Sequence, residues 1–329
     1  MSHKVNYNLL KDLFRIPAIS GKEQAVILYI IEKLKKMKIS YTIDSVGNIY
    51  NVDKVGKPLL SAHMDTVQGA ADVLAIKDIQ FSREMIVGKG VIGGDDKCGI
   101  YIMLELLRKR KKDFNFVFSV EEETGGVGIR SFMDVVDLTH MTYGLVLDRW
   151  GSSDILCSGN EYGTQSFEDA LTKVGKDFNY VPAIGVFCDA DYISDDISCA
   201  NISVGYYKHH TKEEFVIIED LKRAVEFVDA VLDNVTQYYI APEKTASMLW
   251  KKGYYEDVDT KDEVSFFEGD VECEFCGKKT DKVYQVNSVF DMKACVSCLE
   301  ALRDETDSTL KTIDEEEFYS CLLDEEWYG

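Results

Sequence analysis

No stretch of this sequence reaches the roughly 18 to 20 consecutive apolar residues that a membrane-spanning helix needs. The opening "MSHKVNYNLLKDLFRIP" also lacks the basic, apolar and small-residue order of a signal peptide, so an intracellular, cytoplasmic protein without membrane contact is expected. Basic residues are scarce, with 37 Lys and Arg against 58 Asp and Glu and a formal net charge of -21. That balance argues against nucleic acid or anionic lipid as a partner, because both are held by clustered cations. Internal repeats are absent, as is low complexity outside the acidic end, where Arg303 and Lys311 are the basic residues between Glu300 and Glu326. Histidine is rare too, at 5 residues. What remains, 46% hydrophobic and 11% aromatic over 329 residues, can bury one large core or two modest ones.

Residues 1–240 alternate between helical and strand patterns. "NYNLLKDLF", "KEQAVILYIIEKLKKM" and "IEDLKRAVEFVDAVLDNV" space apolar residues as helices do, and "KCGIYIMLELLRKRKKD" reads as an amphipathic helix with cations in its last turn. "YTIDS", "NIYNV", "PLLSA", "FNFVFSV", "YGLVLD" and "ANISVGY" read as strands. The alternation predicts an α/β three-layer sandwich with a mostly parallel central sheet. Residues 241–272 lack clear periodicity and read as a connector. A second unit begins at Cys273, and residues 304–329 form an acidic tail, read as solubilising rather than docking.

Open α/β sheets gather functional groups where their strands end. His63 and Asp65 follow "PLLSA", Asp95 and Asp96 lie in "VIGGDDKCG", Glu121 to Glu123 follow "FNFVFSV", Asp148 ends "YGLVLD", and His209 and His210 follow "ANISVGYY". Singly, each has a bland reading: a structural histidine, a turn, a solvated acidic face, a polar cap. A phosphate loop at "GKGVIGGDD" is unfavourable, because G-K-[ST] is missing and two carboxylates would repel phosphate. Jointly, imidazoles and carboxylates at the ends of one sheet suit zinc. His63 would bind metal, and Asp65 would accept its other N–H and fix the tautomer.

These motifs resemble those of the di-zinc exopeptidase clan that includes peptidase T-like and bacterial leucine aminopeptidase-like enzymes. "SAHMDTV" is similar to its H-x-D motif, "GGDDKCG" to G-x-D-D-K-x-G, "VEEETGG" to E-E-x-G and "HHTKEE" to H-[TGS]-x-x-E, with "LFRIPAISGKE" and "VGNIYN" resembling its opening. The resemblance spans about residues 5–235. It implies a zinc exopeptidase-like fold and a metallopeptidase that hydrolyses amide bonds. It makes His63 and Asp148 ligands of one zinc, Glu123 and His210 ligands of a second, and Asp95 the bridge between them, with the Asp95–Asp96 peptide in the cis form. Glu122 matches the general base, its register set by Gly125. His210 is preferred over His209 because Glu214 then falls four residues later. Asp95 lies 32 positions after His63 and His210 lies 62 after Asp148. Neither gap can hold the inserted lid or dimerisation domain of many relatives.

Nine cysteines without an export signal favour metal over disulfides. Cys273, Cys276, Cys295 and Cys298 form two C-x-x-C pairs with eighteen residues between them, a four-thiolate zinc pattern. Four thiolates leave no place for water, so this third zinc is expected to be structural, in a treble-clef or zinc-ribbon module over residues 273–303. Its acidic flanks favour protein docking or self-packing over nucleic acid. The expected function is zinc-dependent cleavage of short peptides, as an aminopeptidase. The alternatives are a carboxypeptidase or N-acyl amino-acid deacylase with the same site, or a non-catalytic adaptor that keeps the fold.

Overall fold

Leu59–His63 and Asn115–Ser119 are buried at every position. Such strands belong in the middle of a sheet covered on both faces. The computed structural model describes residues 3–110, 113–157, 159, 161–185, 188–243, 264–272, 279–286 and 293–294. It divides the chain into two units, Met1–Glu243 and Lys244–Gly329.

The first unit contains strands β1 (Thr42–Ile43), β2 (Ile49–Asn51), β3 (Leu59–His63), β4 (Gln80–Phe81), β5 (Met85–Val87), β6 (Asn115–Ser119), β7 (Gly144–Arg149), β8 (Asp154–Leu156), β9 (Val181–Ala183), β10 (Cys199–Ser203), β11 (Tyr206–Tyr207) and β12 (Phe215–Ile217). Its helices are α1 (Tyr7–Phe14), α2 (Gln24–Met37), α3 (Ala70–Ala75), α4 (Gly94–Arg110), α5 (Val127–Met133), α6 (Gln165–Gly175), α7 (Ala190–Ile193) and α8 (Ile218–Asn234). The main sheet has 8 strands in the order β1-β2-β6-β3-β7-β10-β8-β9. Its centre, β6-β3-β7-β10, is parallel, while β2 and β8 join it antiparallel. A second sheet, β11-β12-β5-β4, is antiparallel and was not foreseen from the sequence.

Period-2 alternation along the central strands builds two cores. Leu60, Phe116 and Leu145 lie side by side in register and pack with Leu13, Ile30 and Phe227 from α1, α2 and α8. Leu59, Val117 and Val146 face the other way, onto Ile129 and Phe132 of α5 and Ile193 of α7. The result is the helix–sheet–helix sandwich expected from the alternating pattern.

Helix α4 corrects one expectation. It is buried continuously from Gly94 to Leu107 and opens to solvent only in its last turn. The cause is its position, with β3 and β7 on one side and α1 and α8 on the other. Gly99 permits the close approach to the sheet: an added Cβ would lie 2.2 Å from the Leu147 carbonyl oxygen and 2.5 Å from both Asp96 carboxylate oxygens. Overpacking of that kind costs about 1 to 3 kcal/mol. Gly99→Ala should therefore lower the thermal unfolding midpoint by roughly 2 to 12 °C. Circular dichroism checks this, and an unchanged midpoint would contradict the contact.

The second unit contains β13 (Val264–Glu272), β14 (Lys279–Val286) and β15 (Lys293–Ala294), paired antiparallel in that order. The stretch read as a connector thus carries a strand. Its register shifts between Glu268 and Val271, which breaks the alternation that would have announced it. Cys273, Cys276, Cys295 and Cys298 and the acidic tail lie outside the described residues. Among the described residues, no helix is long and apolar enough to cross a membrane.

Candidate metal centre

The carboxyl ends of the parallel strands bring together seven residues singled out from the sequence: His63, Asp65, Asp95, Glu122, Glu123, Asp148 and His210. His63 closes β3, and Asp148 lies near the end of β7. Glu122 and Glu123 follow β6, and His210 lies in the turn between β11 and β12. Asp95 and Asp96 interrupt the start of α4 with non-helical backbone, and the peptide between them is cis, as the resemblance implied.

Asp95 lies between the two imidazoles. His63 Nε2 is 3.0 Å from Asp95 Oδ1, and His210 Nε2 is 3.2 Å from Asp95 Oδ2. Each imidazole has a second carboxylate beside it: Asp148 Oδ1 at 3.4 Å from His63 Nε2, and Glu123 Oε1 at 2.8 Å from His210 Nε2. Glu122 shares a group with His63 and Glu123 whose ligand atoms all lie within 4.8 Å of one another. The trios His63–Asp96–Asp148 and Asp95–Glu123–His210 meet the same limit. Among the described residues, no hydrogen bond or ion pair joins His209, the rival to His210 in the sequence, to Asp95 or Glu123.

Asp65 ties the histidine to the glutamate loop. The Glu122 backbone N–H donates to its Oδ1 at 2.9 Å, and the Glu123 N–H and Ser20 hydroxyl donate to its Oδ2 at 3.2 and 2.8 Å. The same carboxylate lies 3.2 Å from His63 Nδ1, whose nearest acceptor is the Asp65 carbonyl at 3.0 Å. A carbonyl oxygen only accepts, so Nδ1 carries a hydrogen. In the neutral ring, Nε2 then presents a lone pair to two carboxylates. An acceptor facing acceptors calls for a proton or a metal ion between them.

The electrostatics agree with that geometry. Burial lifts Glu122 well above the usual carboxylate range, with Asp148, Glu123 and Asp189 adding to it. Burial together with Asp95 raises Asp148 to about 6 and Glu123 to about 7. Burial opposes protonation of the His63 imidazole, but Asp148, Asp65 and Asp95 outweigh it and raise the group. Asp95 is pushed up by burial and pulled further down by His210 and His63, ending well below its ordinary value. Buried acids so outnumber the imidazoles that the donor set fits divalent cations.

Several supporting residues went unrecognised in the sequence. Glu214, noticed there only for its spacing, accepts the backbone N–H groups of Gly93 at 2.8 Å and Asp95 at 3.1 Å, which fixes the Asp95 loop. The Tyr206 hydroxyl donates toward Asp148, 3.0 Å from its carbonyl and 3.2 Å from Oδ1. Asp189 accepts from Ser119 Oγ at 2.8 Å, and burial raises it to about 7.

Residues 59–234, just over half of the chain, match the profile of peptidase family M20/M25/M40. The chain belongs to that family. Its site residues include groups able to hold metal ions. Over 126 residues it is 37% identical to a protein of Pyrococcus abyssi described as a putative [LysW]-lysine/[LysW]-ornithine hydrolase, covering 37% of this chain and 34% of that one. A probable carboxypeptidase of Aspergillus niger is 26% identical over 144 residues, 38% of this chain and 35% of that protein. The chain thus spans about a third of the length of these relatives. Among solved structures, the aminopeptidase PepT of Bacillus cereus superposes with a TM-score of 0.57 at 17% identity, covering 70% of this chain and 98% of its own. Pyrococcus horikoshii TET1 peptidase follows at 0.55 and 17%, covering 69% of this chain and 98% of its own. These likenesses establish the zinc exopeptidase-like fold.

Proposed function

We propose that this chain is a dinuclear zinc exopeptidase that removes residues from short peptides, as an aminopeptidase. The observation that carries the reading is the Asp95 carboxylate, with His63 on one oxygen at 3.0 Å and His210 on the other at 3.2 Å. His63 and Asp148 would hold one ion, Glu123 and His210 the other, and Asp95 would span both. Such a pair, when bound, polarises the scissile carbonyl and acidifies the attacking water.

The chain's own residues do the rest. Glu122 takes the water proton as the oxygen adds to the carbonyl carbon, then delivers it to the leaving amine when the C–N bond breaks. Burial and the neighbouring carboxylates raise its proton affinity, the direction a general base needs. Asp65 holds His63 in one tautomer and fixes the backbone at Glu122 and Glu123, so the base and the ligands keep one geometry.

A second reading, a carboxypeptidase or N-acyl amino-acid deacylase, is favoured by the descriptions of the relatives as a carboxypeptidase and as [LysW]-lysine hydrolases. The four cysteines would hold a further, structural zinc. A substrate panel separates the readings. Zinc-loaded protein is given matched peptides with free or acylated amino ends and with free or amidated carboxyl ends. Cleavage that needs the free amine identifies the aminopeptidase, and cleavage that needs the free carboxylate identifies the alternative. No cleavage of any member overturns both.

A further inference from the structure

His209 sits beside the centre without a ligand's place in it. Lys208 and His210 both adopt left-handed backbone conformations, with φ of 54° and 59°, so the chain turns sharply on either side of it. The His209 ring meets that of His210 edge-on, with centroids 4.9 Å apart, and that of Tyr206 at 6.0 Å. Those neighbours reach the two sides of the cluster: His210 contacts Asp95 and Glu123, and Tyr206 donates to Asp148. The His209 ring thus lies against residues of both sides of the cluster, and the Asp95 charge acts on it. Among the described residues, no hydrogen bond or ion pair engages either ring nitrogen of His209.

The cluster that His210 and Tyr206 contact presents carboxylate oxygens, at Asp95, Glu123 and Asp148, while the Arg149 guanidinium also acts electrostatically on the His209 ring. Amide hydrolysis places negative charge on the carbonyl oxygen, which a pre-aimed N–H donor stabilises. We propose that His209 is a further catalytic residue, donating a ring N–H to the substrate carbonyl oxygen as that oxygen becomes an oxyanion. As the water oxygen adds to carbon, the carbonyl π pair moves onto oxygen and Glu122 takes the proton released. The His209 proton stays on its ring. This inference rests on the hydrolase reading above and adds a residue that none of the four family-like motifs requires.

The competing role is packing, since an aromatic edge against Tyr206 and His210 needs no N–H. His209→Phe keeps a ring and removes both nitrogens; His209→Gln removes the ring and restores a donor. The full zinc-loaded chain and both variants are compared for kcat and KM on the best substrate of the panel, for zinc content, and for calorimetric binding of a phosphinic pseudodipeptide. That analogue reproduces the tetrahedral, anionic centre. His209→Phe should lose about 10²- to 10³-fold in kcat, with KM within about threefold of wild type and zinc content unchanged. It should lose affinity for the analogue in parallel, and His209→Gln should recover about tenfold of the kcat. A kcat within about threefold of wild type in His209→Phe, or loss of zinc from it, overturns the proposal. Wild type that binds the analogue but hydrolyses nothing would sink the proposed function, while the affinity ratio would still decide the role of His209. Wild type that does neither sinks both.

Discussion

Glu122→Gln is expected to lose nearly all turnover while binding metal as wild type does. The substitution preserves the shape of the side chain and removes its ability to accept a proton. The contacts that position this residue run through its backbone N–H to Asp65 Oδ1 at 2.9 Å, and an amide side chain leaves them in place. A positioned general base contributes about 10²- to 10⁴-fold, so kcat should fall by that factor. Zinc content, measured on the same preparation, should match wild type, because His63, Asp95, Glu123, Asp148 and His210 are untouched. Hydrolysis within about tenfold of wild type would remove Glu122 from the mechanism.

Asp95→Asn should empty much of the centre. One carboxylate faces both imidazoles, at 3.0 and 3.2 Å, and the amide replaces one of its oxygens with an NH₂ group that has no lone pair for a metal. It also removes the negative charge that would offset two cations. Bound zinc in the catalytic unit should fall from about two per chain to about one or fewer, with hydrolysis lost in step. The backbone at this position should survive, since the Asp95 N–H still donates to Glu214 and the Asp96 carboxylate still accepts from the Gly99 N–H at 2.9 Å. A variant that folds, by circular dichroism, and retains full zinc would show that Asp95 does not span two ions.

His63, Glu122, Glu123 and Asp148 were legible because each ends or follows a strand whose pattern is local. Leu59–His63 announces itself as a strand by composition, and the acid or imidazole at its end needs only the rule that strand ends collect chemistry. The second sheet was not legible. Gln80–Phe81, Met85–Val87, Tyr206–Tyr207 and Phe215–Ile217 are two or three residues long, too short for alternation to register. Yet that sheet supports the turn that carries His209 and His210 and places Glu214 against the Asp95 loop. Helix α4 was misread for the opposite reason: its polar positions, among them Asp96, Lys97 and Glu105, are buried, so what looked like a solvent face is interior. Ser20, Tyr206 and Asp189 carry no sequence signal. Their partners lie 45, 58 and 70 positions away, and only the folded sheet brings them together.

The central claim is that two metal ions share the cluster around Asp95. Elemental analysis of zinc-supplied, dialysed full-length protein beside a His63→Ala, His210→Ala double variant tests it most directly. About three zinc ions per chain in wild type and about one in the double variant, the remainder belonging to the four cysteines, is the result expected. About one in both would mean that the cluster binds no metal, contradicting the hydrolase and leaving an adaptor that has kept the peptidase fold.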